Sequence, residues 1–177
     1  MKPIKLIVSN KSKLQWKYGK NFPKITSILK KMQLADKSKG FDTKIVYVDN
    51  AVSLKSSGVK KIKTDSENEY KRVVDDLYTK YLPAYIVILG SQDIVPFQEI
   101  DNPAEDEDPN VPSDLPYACD TTYSSDINNF TGPSRVVGRI PDKMGKQKDI
   151  RFIEKIIINS LKHVSKNAEE YHNYFSL

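Results

Sequence analysis

Apolar residues in this chain fall into short continuous runs that are separated by longer stretches with helical spacing. The runs IKLIVS (residues 4–9), TKIVYVD (43–49) and SRVVGRIP (134–141) each predict a β-strand. A fourth run, AYIVILG (84–90), is the most apolar of the set. Such a continuous apolar run is typical of a strand that is covered on both faces in a parallel sheet.

Three helices are predicted from apolar stripes at 3–4 spacing. The first has Pro23 near its first turn and ends near Gly40, and its buried face comprises Ile25, Ile28, Leu29 and Met32. The second begins at Ser66, which has capping-box spacing to Glu69, ends before Pro83, and carries a stripe of Tyr70, Val73, Val74, Leu77, Tyr78 and Tyr81. The third has its stripe at Ile150, Ile153, Ile157, Leu161 and Val164.

This alternation of strands and helices predicts a single α/β domain over residues 1–177, a three-layer structure with a mostly parallel sheet and helices on both faces. The lysine- and serine-rich stretch that follows the second strand is expected to run over the surface. Residues 91–133 show little periodicity and hold six of the ten prolines, so a long acidic, proline-rich loop region is expected there. This region leaves the carboxyl end of the third strand, where open α/β sheets usually bind ligands.

The net charge of +5 is unevenly distributed. Residues 81–134 contain ten acidic residues and no lysine or arginine, and the remainder carries all 28 basic residues. Because the lysines are spread over helical surfaces without an aromatic or glycine pattern, neither nucleic acid nor a membrane is expected as a partner. The sequence contains no apolar run of about 18 residues, and its brief apolar start is too short for the core of a signal peptide.

Cys119 is the single cysteine, which excludes an internal disulfide and a multi-cysteine zinc site. A nucleophilic cysteine needs a base such as histidine, and the chain offers His163 and His172. His163 lies in the last helix without a nearby carboxylate in sequence, His172 lies five residues from the end in a segment expected to fray, and acidic residues surround Cys119. Acidic neighbours disfavour a thiolate, so Cys119 is predicted to be a buried, inert thiol and no catalytic residue is assigned. The sequence also lacks a glycine-rich phosphate loop and a G-x-S-x-G elbow.

The acidic residues of the loop region allow several interpretations. A solvated loop needs no ligand. The run EIDNPAEDEDPN (99–110) has the oxygen atoms for calcium but lacks the spacing of an EF-hand loop. Carboxylates near the sheet edge could instead bind a cationic side chain of a substrate or partner, and the candidates for this role are Asp114, Asp120 and Asp126. No cofactor is expected, and calcium is the one ion that the acidic run leaves open.

Four segments in a fixed order resemble the first subdomain of gingipain-type cysteine peptidases, which are relatives of the caspase-like enzymes. They are AYIVILGSQDIVPF, the acidic stretch, SDLPYACD, and SRVVGRIPD before a long helix. The matching residues are Gly90, Asp93, Ile94 and Pro96, then Ser113, Asp114 and Tyr117, then Val137, Gly138, Arg139 and Ile140. The resemblance covers about residues 84–165, and the first 80 residues match only through the α/β pattern.

This resemblance implies a caspase-like fold and peptide hydrolysis by a histidine–cysteine dyad. In the family the dyad follows the V-G-R-I strand and its helix, so it is expected in a carboxyl-terminal catalytic subdomain that would be this chain's partner, and the chain alone is expected to be inactive. The resemblance also implies that Asp120 or Asp126 approaches the substrate pocket for a peptide or protein. Family members are commonly exported, but the sequence assigns no compartment. The alternatives are a stand-alone binding or regulatory module on the same scaffold, or an independent enzyme that uses Cys119.

Overall fold

The computed structural model describes residues 2–104, 106–162, 164 and 169. Its centre is a four-stranded parallel sheet of order β2-β1-β3-β6. The strands are β1 (Ile4–Ser9), β2 (Asp42–Tyr47), β3 (Tyr85–Leu89) and β6 (Val137–Ile140). The α/β fold class predicted from the sequence is therefore confirmed, and the strand bounds lie within about two residues of the predicted ones except at the start of β6, which begins at Val137.

Helices connect the strands and cover both faces of the sheet. They are α1 (Lys11–Tyr18), α2 (Phe22–Ser38), α3 (Ala51–Leu54), α4 (Glu67–Tyr81) and α5 (Arg151–Lys162). Because β2 and β3 lie on opposite sides of β1, right-handed crossovers place their connecting helices on opposite faces. Helix α2 packs against α5 and β2, whereas α4 contacts the segment between β3 and β6.

The main core lies between the sheet and these helices. Leu6, Ile7 and Val8 of β1 are all fully buried. Consecutive strand residues point to opposite faces, so both faces of the sheet are covered here. The stripes predicted for α2 and α4 supply much of the rest, including Ile25, Leu29, Val73 and Leu77, whereas Ile153 and Ile157 of α5 complete it.

The segment from residue 91 to residue 133 contains more structure than expected. Strands β4 (Gln98–Asp101) and β5 (Asn110–Ser113) form an antiparallel pair, and two 3₁₀ helices follow at Leu115–Ala118 and Ile127–Phe130. This segment, hereafter the excursion, encloses a small second core of Ile100, Cys119 and Phe130. The periodicity of the sequence does not reveal these two strands because both are short and largely polar, and β5 contains Pro112.

Two further features, helix α1 and the start of α4, differ from the prediction made from the sequence. Helix α1 was not predicted, although Asn10 caps it by accepting a hydrogen bond from the N–H of Lys13 at 3.0 Å. Helix α4 begins at the predicted place, but the reciprocal bonds of a capping box do not form. The carboxylate of Glu69 instead accepts a hydrogen bond from the N–H of Lys63 at 2.7 Å.

Candidate functional site

The carboxyl ends of the parallel strands form one edge of the sheet, and polar side chains gather there. Asn10 follows β1, Asp49 closely follows β2, Ser91 and Asp93 follow β3, and Asp142 follows β6. Side chains at this edge of an open α/β sheet are placed by strands that end at the same level. This edge of the sheet is therefore the candidate functional site.

Lys17 lies at the centre of this edge with its side chain fully buried. Its Nζ lies 2.6 Å from Asp93 Oδ1, 2.9 Å from Asp142 Oδ1 and 3.1 Å from Ser91 Oγ. The hydroxyl of Tyr18 donates to Asp142 Oδ2 at 2.6 Å. The ammonium group of Lys17 thus joins α1, which follows β1, to the segments that follow β3 and β6.

Burial and hydrogen bonds set the ionisation of these groups. Burial alone would raise the pKa of Asp93, but hydrogen bonds from Lys17, Ser91 and the N–H of Gly145 lower it below its ordinary value. The pKa of Tyr18 is raised, first by burial and then by its hydrogen bond to Asp142. Asp93 is therefore a carboxylate and Tyr18 a neutral donor at neutral pH.

Asp114, one of the three candidate substrate-binding residues, forms an ion pair with Arg139. The guanidinium donates in a bidentate manner, from Nε to Oδ2 at 2.7 Å and from NH2 to Oδ1 at 2.5 Å. Arg139 NH1 also donates to the carbonyl oxygens of Gly90 and Val95, each at 2.8 Å. Asp114 thereby ties the excursion to β6 and to the turn after β3.

The turn after β3 depends on a glycine. Gly90 has φ of +113°, a backbone region that residues with a side chain rarely adopt. A Cβ at this position would lie 2.6 Å from Cβ of Ile94, which is buried.

Further along, the hydroxyl of buried Tyr117 donates to the carbonyl of Pro96 at 2.9 Å. The residues that carry the family resemblance thus contact one another in space.

Cys119 is buried in the second core, with its Sγ 3.8 Å from the carbonyl oxygen of Phe130. Burial raises the pKa of its thiol, with Asp120 adding to the rise while Lys71 and Arg135 oppose it. The ammonium of Lys71 bonds to the backbone carbonyl of Cys119 at 3.0 Å. The predicted burial of Cys119 is confirmed. His163 and His172 lie outside the described residues.

Asp120 and Asp126 are both exposed on the excursion. Asp126 caps the second 3₁₀ helix, since its Oδ1 accepts from the backbone N–H and the side-chain amide of Asn128, each at 2.9 Å. Within the described residues, neither carboxylate forms a salt bridge, whereas Asp114 does. The structure therefore leaves Asp120 and Asp126 accessible and holds Asp114 in a scaffold contact.

The acidic run of the excursion is partly organised by hydrogen bonds of its own. The amide of Asn102 donates to Asp106 Oδ1 at 2.6 Å and to the carbonyl of Asp108 at 2.7 Å. In the part of the chain that the structure describes, no group of three or more histidine, cysteine, aspartate or glutamate side chains is placed to hold a metal ion. Among the described helices, none combines the length and apolarity needed to cross a bilayer.

Sequence reasoning missed Lys17, Tyr18 and Asp142. Lys17 is one of many lysines in a helix that was not predicted, and its partner Asp142 is 125 residues away in sequence. The available signal was the position of Asp142, which follows a predicted strand and so belongs at the carboxyl edge with Asp93.

One of three comparisons with known proteins gave a match. A search of curated proteins and a search of solved structures each gave no significant match. The family model of peptidase family C25 matches residues 8–168, which is most of the chain. The match includes β3, the excursion, β6 and α5, together with nearly all of the α/β region before them. The chain belongs to peptidase family C25, the gingipain family of cysteine peptidases.

Proposed function

We propose that this chain is the amino-terminal, non-catalytic part of a gingipain-like cysteine endopeptidase. It supplies scaffold and substrate-pocket loops to a carboxyl-terminal catalytic subdomain of the same protein, which contributes the histidine–cysteine dyad. The observation that carries the proposal is the state of Cys119, whose thiol is buried among Ile100 and Phe130. A buried thiol with a raised pKa lacks the thiolate character that a nucleophile needs.

The motif residues support a scaffold role in the same way. Asp93 pairs with Lys17, and Asp114 pairs with Arg139. The first pair holds the turn after β3 against α1, and the second holds the excursion against β6. Rigid positioning of loops at a strand end is what a peptide-binding cleft requires.

The substrate contacts belong to the excursion in this proposal. Exposed Asp120 and Asp126 receive a lysine or arginine side chain of a peptide or protein substrate, and Asp114 holds the loop that carries them. Carboxylates bind ammonium and guanidinium groups through charge-assisted hydrogen bonds. The substrate class is therefore a polypeptide with basic residues at the cleavage site.

The substrate assignment predicts a kinetic effect in the active full-length protein. Asp120→Ala and Asp126→Ala should each lower kcat/KM for cleavage after lysine or arginine by about tenfold, a loss of about 1.4 kcal/mol in transition-state binding. Asp108→Ala, an exposed carboxylate of the same excursion, is the matched control and should change little. Unchanged kinetics in both test variants would remove these residues from the pocket.

The non-catalytic assignment is tested on the chain itself. Fluorogenic peptides ending in lysine or arginine should not be cleaved by the purified chain. Turnover that disappears in Cys119→Ser would make Cys119 a nucleophile and overturn the proposal. The coding sequence beyond Leu177 tests the proposed catalytic subdomain. A histidine and a cysteine at the ends of the strands that follow would supply the dyad.

A stand-alone binding or regulatory module is the second candidate. It is favoured by the internal pairing of the buried charges, since Lys17 and Arg139 both find their carboxylate partners within this chain. A stop codon directly after Leu177 would favour the module over the peptidase part.

A further inference from the structure

A basic groove lies beside the carboxyl edge of the sheet, between the segment that follows β6 and the first turns of α5. Its cavity volume is about 540 Å³. The cations that line this basic groove are exposed: Lys143, Lys146, Lys148, Arg151 and Lys155. The apolar side of the groove is formed by Phe152 and Ile153.

The positive charge of the basic groove is poorly compensated. Among the described residues that line it, Asp149 is the one carboxylate, and it pairs with Arg151 at 2.7 Å. The four lysines form no salt bridge with any residue that the structure describes. Lys143 Nζ instead lies 5.5 Å from the ring centroid of Phe152, and Lys146 Nζ lies 5.4 Å from that of Trp16.

The backbone of the groove is held in place by the buried site. The N–H of Gly145 donates to Asp93 Oδ2 at 2.8 Å, and the N–H of Gln147 donates to the carbonyl of Lys17 at 2.9 Å. The side-chain amide of Asn21 donates to the carbonyl of Lys148 at 3.0 Å. The lysines therefore extend from a fixed backbone, which reduces the conformational entropy lost on binding.

We infer that the basic groove binds an acidic peptide segment, one rich in aspartate and glutamate. Four of its five cations are lysines, which act as mobile point charges and can each attract one of the carboxylates spaced along an acidic peptide. Its volume accommodates a few side chains. The aromatic faces of Phe152 and Trp16 already carry ammonium groups, which leaves them less suited to stacking of nucleic-acid bases.

This inference is independent of the peptidase proposal, because it is tested by binding alone. The probe is a fluorescein-labelled octapeptide of alternating aspartate and glutamate, and its neutral counterpart has asparagine and glutamine. Fluorescence anisotropy at low salt should show binding of the acidic peptide only. The affinity should fall as salt is added, because exposed charges are screened.

A matched pair of variants locates the binding site. Replacing Lys143, Lys146 and Lys155 with serine should weaken binding about tenfold or more, since each exposed ion pair contributes a modest amount. Replacing exposed Lys55, Lys60 and Lys80 with serine removes the same charge elsewhere and should weaken binding less than about twofold. Thermal unfolding of both variants checks that the fold is retained, and amide NMR shifts on peptide addition should concentrate at residues 143–155 of the unmodified chain.

Three results would overturn the inference. The first is the absence of binding at low salt, and the second is an equal loss in both triple variants, which would indicate diffuse charge attraction. The third is tighter binding of a labelled twelve-residue oligothymidylate, together with displacement of the peptide from the groove. This result would assign the groove to single-stranded nucleic acid.

Discussion

Lys17 and Asp93 show how single residues hold the sheet edge together. The ammonium of Lys17 is buried, and it is paired with the carboxylates of Asp93 and Asp142. The pKa of Asp93 is lower in the folded chain than its ordinary value. Asp93 therefore contributes stability that is present above its unfolded pKa of about 4 and is lost as the pH falls through the lower folded pKa.

Asp93→Asn should lower the free energy of unfolding at pH 7 by about 2 kcal/mol, because it removes a charged partner of a buried ammonium. The difference from the unmodified chain should shrink as the pH falls below about 4, where the unfolded carboxyl binds a proton, and continue to shrink toward the lower pKa of Asp93 in the folded chain. Urea unfolding at pH 7, 5 and 3 measures this effect, with exposed Asp120→Asn as the control. A deficit that stays constant across this range would contradict the role given to the Asp93 charge.

Cys119 provides a second prediction for a single residue. Because its thiol is buried and its pKa is raised, iodoacetamide should label it slowly at neutral pH. The rate should rise strongly in guanidinium chloride, when the second core opens. Labelling is followed by intact mass. Fast labelling of the folded chain that is abolished by His163→Ala would show an activated thiol and would contradict the inert assignment.

The state of Cys119 was predictable from the sequence, whereas the role of Lys17 was not, and the difference has a physical reason. Local neighbours sufficed to indicate that Cys119 is an unsuitable nucleophile, since its surroundings contain aspartates and apolar residues. The role of Lys17 depends on Asp93 and Asp142, which are 76 and 125 residues away along the chain. A pairing of this kind requires the sheet order, which a single sequence does not reveal.

At the level of elements, the turn between β3 and the excursion depends on Gly90. Gly90→Ala should destabilise the fold by about 3 kcal/mol, because it adds left-handed backbone strain to a collision with Ile94. Gly138→Ala in β6 is the matched control, since a Cβ there meets nothing within 4 Å and its φ is not positive. Urea unfolding of both variants compares them directly. Equal stability of the two would show that the turn adapts.

The elements that the sequence predicted well are those with strong apolar patterns. β1, β3, α2 and α4 each bury several apolar side chains, and their bounds follow from that pattern. Helix α1 buries little besides Leu14, Lys17 and Tyr18, so its pattern is weak. The strands β4 and β5 are polar, four residues long and set beside prolines, and only their pairing with each other makes them strands.

The whole molecule consists of a large core around the parallel sheet and a small core within the excursion. The contacts that join the excursion to the rest include Asp114 with Arg139, Lys71 with the carbonyl of Cys119, and the Gln98 amide with the carbonyl of Glu67. This division suits the proposed role, in which a stable scaffold carries an adjustable loop that contacts the substrate. Loops that bind ligands are commonly drawn from the less stable parts of a fold.

Hydrogen exchange should reveal this difference in stability. The amides of β4 at residues 98–101 should open with a free energy about 2 kcal/mol below that of the β1 amides, because only Ile100, Cys119 and Phe130 form the buried centre of their core. Phe130→Ala should lower the protection of β4 further and leave the difference between β1 and global unfolding unchanged. Native-state exchange measured by NMR over a series of low urea concentrations separates local from global opening. If β4 and β1 exchange with the same free energy and the same urea dependence, the excursion and the sheet are one cooperative unit, and the excursion is as rigid as the sheet that carries it.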